Sequence, residues 1–96
     1  MEVLVVYDVS TVTGAGQARL RRVAQACQAH GQRVQKSVFE CVLAPEQVEL
    51  LKHELLSIID ERVDSIRIYR LREPHGRYTW MAGAQPRWDI RGSLVV

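Results

Sequence analysis

The chain has 96 residues, 47% of them hydrophobic and 25% charged, with a formal net charge of +2. That length holds one globular domain and not two, and the balance of apolar and charged residues excludes general disorder. No apolar run approaches the roughly 18 residues needed for a bilayer span, and two cysteines make no disulfide scaffold.

In chain order, Val3 to Tyr7 is a continuous β-branched run that reads as a strand buried on both faces and ending at Asp8. Ser10 to Gly16 reads as a loop. From Gln17 to about His30 the pattern is helical, with Leu20, Val23, Ala24 and Cys27 on the apolar stripe and Gly31 as a C′ terminator. Gln32 to Leu43 divides into two extended segments. Val34 is the inward residue of the first, Phe39, Cys41 and Leu43 of the second. The change of parity calls for a turn or bulge near Lys36–Val38. Pro45 opens a second helix whose stripe is Val48, Leu51, Leu55, Ile58 and Ile59. Ile66 to Leu71 is a last strand, with Ile66 and Ile68 inward.

Strand, helix, strand, strand, helix, strand predicts an α+β fold: two helices on one face of a four-stranded antiparallel sheet, the ferredoxin-like βαββαβ sandwich. Residues 1–72 form that domain, and residues 73–96 are a C-terminal extension. Within the extension 73–89 reads as loop, carrying Trp80 and Trp88, and 90–96 as an extra short strand. At this length the core is modest, which favours burial by oligomerisation. The N-terminal residues lack the basic and small-residue features of a secretory signal, so a cytoplasmic protein with reduced thiols is expected.

The small net charge conceals blocks of opposite sign. No acid lies between Asp8 and Glu40, and Arg19, Arg21, Arg22, Arg33 and Lys36 give that interval +5. From Glu40 to Asp64 seven acids face Lys52 and Arg62, giving −5, and from Ser65 onward the balance is +4. Eleven of the 13 basic residues are arginine, whose planar fork suits phosphate. A basic face of this kind attracts nucleic acid, although solvated helix faces in an arginine-rich chain would look the same.

Asp8 is the most suggestive single position. A carboxylate at a strand end beside a helix start could ligate Mg²⁺, and a two-fold axis would present it twice. It could equally accept hydrogen bonds from the amides of the following loop, and on spacing alone that is the better reading. Arg19, Arg21 and Arg22 could clamp phosphates or coat a solvated helix face. Phe39 could simply be core, as most phenylalanines are, and Tyr7 could be core with its hydroxyl satisfied locally. The histidines show no metal spacing and no evident carboxylate partner. Cys27 and Cys41 read as buried small hydrophobes, and Gly14-Ala15-Gly16 is not a phosphate-binding loop.

Taken together, Val3-Leu4-Val5-Val6-Tyr7-Asp8-Val9, Arg19-Leu20-Arg21-Arg22-Val23-Ala24, Arg33-Val34-Gln35-Lys36-Ser37-Val38-Phe39-Glu40-Cys41 and Asp64-Ser65-Ile66-Arg67-Ile68-Tyr69 resemble the CRISPR-associated protein 2 family, from the N-terminus to about Leu71. The resemblance implies a ferredoxin-like homodimer formed through the sheets, with a C-terminal strand able to join the partner's sheet. It implies a subunit that bridges the CRISPR-associated protein 1 integrase during spacer acquisition and carries duplex prespacer DNA. It also implies a Mg²⁺-dependent endonuclease acting on single-stranded RNA or duplex DNA. In that family the metal-binding carboxylate maps to Asp8, with Tyr7, Arg22, Arg33 and Phe39 beside it and Arg19 and Arg21 matching less closely. On this reading the catalytic residues are Asp8 and Tyr7, and Arg19, Arg21, Arg22, Arg33, Lys36 and Phe39 bind nucleic acid. A catalytically silent duplex-DNA scaffold and a small-ligand regulatory module are the competing readings.

Overall fold

The structure is a computed structural model, and it describes residues 1–84. Trp88 and the extra strand expected over 90–96 lie outside the described residues. The elements are β1 (Glu2–Asp8), α1 (Gly14–Gln28), β2 (Gly31–Gln35), β3 (Val38–Val42), α2 (Pro45–Ile58), β4 (Ser65–Arg70) and a 3₁₀ turn over His75–Tyr78. The sheet order is β2-β3-β1-β4, antiparallel at every pairing. This is the expected ferredoxin-like arrangement. No helix among the described residues is long and apolar enough to cross a membrane.

One face of the sheet carries both helices. Val3, Val5 and Tyr7 of β1 and Phe39 and Cys41 of β3 meet Val23, Ala26 and Cys27 of α1 and Val48, Leu51, Leu55 and Ile58 of α2. The alternation of a strand sends Leu4, Val6 and Asp8 to the opposite, open face. Leu4 and Val6 are therefore half-buried, not buried on both faces as the apolar run of β1 suggested. Register places Glu40 and Tyr69 beside Leu4, Val38 and Arg67 beside Val6, and Ser65 beside Asp8 on that open face.

Three local expectations change. α1 starts at Gly14, earlier than the composition implied, because the Thr13 hydroxyl caps the helix by accepting the Gly16 N–H at 3.1 Å. Gly16 is required for packing: a Cβ there would lie 2.0 Å from the Ser10 carbonyl oxygen. α1 ends at Gln28, so Gly31 is no helix terminator. It opens β2, where a Cβ would meet the Glu40 carbonyl oxygen at 2.1 Å. Finally, the register slips between Arg33 and Gln35, leaving Val34 as the bulged residue, half-buried and outside the core. The parity change expected near Lys36–Val38 is thus made slightly earlier, in β2 itself.

The segment after β4 is tied back onto the sheet. The Leu71 N–H donates to the Glu2 carbonyl at 2.8 Å, and the His75 N–H donates to the Glu2 carboxylate at 3.3 Å. The His75 ring bridges two carboxylates, Nδ1 meeting Glu2 and Nε2 meeting Glu40 at 2.6 Å. The absence of a carboxylate partner expected for the histidines is therefore wrong for His75. Its partners lie on two distant strands and only the fold assembles them.

Candidate functional site

Neighbouring residues on a strand point to opposite faces, and this separates Tyr7 from Asp8. Tyr7 is buried on the helix side. Its hydroxyl donates to the Lys36 carbonyl at 3.2 Å, and its ring stacks on Phe39 with centroids 6.3 Å apart. Burial raises the Tyr7 pKa, with Arg33 working in the other direction. Phe39 is 0% exposed and has the Arg33 guanidinium 5.2 Å from its ring centroid. Neither ring has the accessible surface that direct contact with nucleic acid or a reacting phosphate requires. They act as a platform under Arg33 and behind the Lys36–Ser37 turn.

Asp8 lies exposed at the end of β1, paired in register with Ser65 of β4. The Ser37 carbonyl accepts the Tyr7 N–H at 3.1 Å, so the turn carrying exposed Lys36 adjoins the same end of the sheet. Among the described residues none donates a hydrogen bond to the Asp8 carboxylate. The role of accepting loop amides, which spacing alone favoured for Asp8, belongs to another residue.

That residue is Asp64, whose side chain is 0% exposed. Its Oδ1 accepts the Ser10 N–H at 2.9 Å, and its Oδ2 accepts the Asp60 N–H at 2.9 Å and Arg19 Nε–H at 2.8 Å. Burial opposes ionisation of this carboxyl, but the Arg19 hydrogen bond and the two amides prevail and hold its pKa below the ordinary value. Arg19 is committed to this interior ion pair, with its side chain 18% exposed. Sequence reasoning missed Asp64 as a site component. The only signal was its place at the head of the strand that faces Asp8.

Of the other basic residues, Arg21 and Arg22 are exposed on α1, and Arg33 and Lys36 are exposed on β2 and its turn. They form a basic border to the helix layer, while Asp8 looks out from the open face and the end of the sheet. Burial pushes Cys27 up to about 12, with Cys41 adding to it, and Cys41 up to about 11, so neither is a nucleophile near neutral pH.

Among the described residues no cluster of three or more His, Cys, Asp or Glu side chains could hold a metal ion. Asp8 still suits a hard, oxygen-seeking ion that keeps most of its waters, because its oxygens are exposed and take no hydrogen bond. Among the described residues, one chain supplies one such ligand at this end of the sheet.

The fold and this site define a class: a ferredoxin-like domain with a free carboxylate at the end of its first strand and exposed basic residues along its helix layer. Comparison with known proteins narrows the class. The family model for CRISPR associated protein Cas2 matches residues 1–77. The chain is 55% identical over 96 residues, all of both chains, to the CRISPR-associated endoribonuclease Cas2 1 of Moorella thermoacetica. It is 50% identical over 95 residues, 99% of each, to the CRISPR-associated endonuclease Cas2 of Halalkalibacterium halodurans. The crystal structure of Streptococcus pyogenes Cas2 at pH 6.5 superposes with a TM-score of 0.80 at 52% identity, over 86% of this chain and all of that one. The chain belongs to the Cas2 family.

Proposed function

We propose that this protein is a CRISPR adaptation subunit: a homodimer that binds nucleic acid, bridges the CRISPR-associated protein 1 integrase during spacer acquisition, and cleaves phosphodiester bonds with Mg²⁺. The curated relatives are named as endoribonucleases or endonucleases, and the observation that carries the reading here is the exposed, unencumbered Asp8. A second copy of the chain would bring a second Asp8, and two carboxylates with waters and phosphate oxygens make an ordinary Mg²⁺ environment. When bound, Mg²⁺ would supply an activated water and charge neutralisation at the scissile phosphate.

The chain's own residues divide the remaining work. Asp8 contributes the ligating oxygen. Arg21, Arg22, Arg33 and Lys36 neutralise phosphates along the strand. Tyr7 and Phe39 support Arg33 and the Lys36 turn from inside. Single-stranded RNA and duplex prespacer DNA both present the phosphates this border fits.

A second reading, the catalytically silent duplex-DNA scaffold, is favoured by a specific observation: Tyr7, Phe39 and Arg19 are all turned inward, so Asp8 has few accessible companions. Asp8→Ala separates the two. As a nuclease, the wild type cleaves RNA or duplex DNA with Mg²⁺ and stops with chelator, and the variant loses at least about 100-fold in rate, the scale of removing a catalytic metal's ligand. Prespacer integration with the partner integrase is retained. Unchanged cleavage in folded Asp8→Ala contradicts the assignment, and a wild type that binds duplex DNA and supports integration without cleaving, with integration intact in Asp8→Ala, favours the scaffold.

A further inference from the structure

The position of Asp8 is fixed through its backbone, because no described residue holds its carboxylate. Both backbone segments that frame it converge on one buried group. Ser10, two residues after Asp8, donates its N–H to Asp64 Oδ1 at 2.9 Å. Ser65, the cross-strand partner of Asp8, directly follows Asp64 in the chain. The same carboxylate takes the Asp60 N–H at 2.9 Å, and the Asp64 N–H returns to the Asp60 carbonyl at 2.8 Å, closing the loop that leads into β4. Arg19 Nε–H reaches Asp64 Oδ2 at 2.8 Å and couples α1 to both. The Ser10 carbonyl lies against the first turn of α1, where Gly16 has no room for a Cβ. Three segments, β1 and its loop, the entry to β4, and the start of α1, are therefore held together directly behind Asp8.

The geometry points to Asp64 as the positioning residue for Asp8, with Arg19 as its fixed counter-charge. This inference rests on the reading of Asp8 as the metal-ligating carboxylate. Asp64 touches neither substrate nor metal. It fixes the angle at which the strand end presents Asp8, and a site with one carboxylate per chain has no neighbouring ligand to absorb an error in that angle. Arg19 then contributes through Asp64 and not as a phosphate clamp. Arg21 and Arg22, exposed on the same helix, are the residues that meet phosphate.

The test uses the full-length protein carrying Asp64→Asn, which keeps the shape and one acceptor oxygen but removes the charge and turns the other oxygen into a donor, beside Arg19→Lys and Asp8→Asn. All are assayed well below their measured unfolding temperatures. Three quantities are read: kcat and KM for RNA cleavage across a Mg²⁺ titration, Mn²⁺ affinity by electron paramagnetic resonance, and hydrogen exchange at the Ser10 amide. The expected result for Asp64→Asn is a kcat at least 10-fold lower, a KM within threefold, weaker Mn²⁺ binding and faster exchange at Ser10. Arg19→Lys falls between this variant and wild type, because it retains the charge without the fixed fork. A role confined to stability would lower the unfolding temperature and leave kcat and Mn²⁺ affinity at wild-type values, and that result overturns the inference. If Asp8→Asn still cleaves and binds Mn²⁺, the reading of Asp8 fails and the positioning role fails with it. If Asp8→Asn is inactive while folded Asp64→Asn is fully active and binds Mn²⁺ normally, only the positioning role is lost.

Discussion

Two carboxylates from opposite ends of the domain sequence share one neighbourhood and take opposite roles because of burial. Asp64 is enclosed and must be hydrogen-bonded on both oxygens. Asp8 is open and keeps its oxygens free for another partner. The pH dependence of stability follows. Asp64 has a folded-state pKa below its ordinary value of about 3.9, so its contribution is complete above that value and is lost as pH falls through the folded value. Half-buried Asp60, held down to about 2 chiefly by its hydrogen bonds from Arg62, changes in the same direction. Urea midpoints measured from pH 6 to pH 3 should fall in the wild type. The fall should be shallower in Asp64→Asn, which begins less stable and has no charge to lose there. An equally steep fall in the variant would remove Asp64 from the account.

Asp8 was legible in the sequence because a β-branched run ends on an acid, and a strand end is visible without knowledge of the rest of the fold. Its freedom was not legible. That freedom depends on Asp64 taking the Ser10 amide across 54 residues of chain, a contact that no local pattern encodes. A separation of 45 residues likewise hid the partner of Arg19, which looked from its helix position like any surface arginine. Tyr7 and Phe39 read correctly as core from residue type alone. Family resemblance gave them roles at the site, whereas in the structure both are interior groups, packed under Arg33 and behind the Lys36–Ser37 turn.

At the scale of elements, the junction between β1 and α1 depends on how closely the loop approaches the helix. Two glycines in the first turn of α1 make a controlled contrast. At Gly16 a Cβ would collide with backbone, the Ser10 carbonyl oxygen at 2.0 Å, whereas at Gly14 nothing lies within 4 Å. Gly16→Ala should therefore destabilise by about 2–4 kcal/mol, since backbone must move to admit the methyl group. Gly14→Ala should stabilise by roughly 0.5 kcal/mol through helix propensity and a less flexible unfolded chain. Equilibrium urea unfolding measures both, and equal effects would mean that the loop does not rest on the helix as described. Composition pointed the other way here: Gly14-Ala15-Gly16 looked like loop because glycine is a poor helix former. The Thr13 cap and the tight packing at Gly16 outweigh that preference, and both are tertiary or terminal effects that a propensity count leaves out. Val34 shows the same limit in a strand, since alternation assumes an unbroken register and the bulge between Arg33 and Gln35 breaks it.

For the whole molecule, the charge blocks of the chain become a polarised helix layer. α1 and the β2 edge carry exposed Arg21, Arg22, Arg33 and Lys36, and the neighbouring α2 carries exposed Glu46, Glu49 and Glu54. Nucleic acid should therefore follow the α1 border and avoid α2. Replacing Arg21 and Arg22 together by glutamine should weaken duplex binding. It should also reduce the slope of log K against log salt by about 1.8, the release expected for two phosphate contacts. Glu46→Gln with Glu49→Gln should leave the slope unchanged. Fluorescence anisotropy across a salt series reads both, and a slope unaffected by the arginine pair would place the nucleic acid on a different surface.

On the proposed function each chain is half of a site. A heterodimer purified through two different tags, one chain wild type and the other Asp8→Ala, tests this directly. If two Asp8 carboxylates share one cation, the heterodimer cleaves at less than about a tenth of the wild-type rate, close to the doubly substituted dimer. A heterodimer with half the wild-type rate would show that each chain carries a complete site of its own, and would contradict the account.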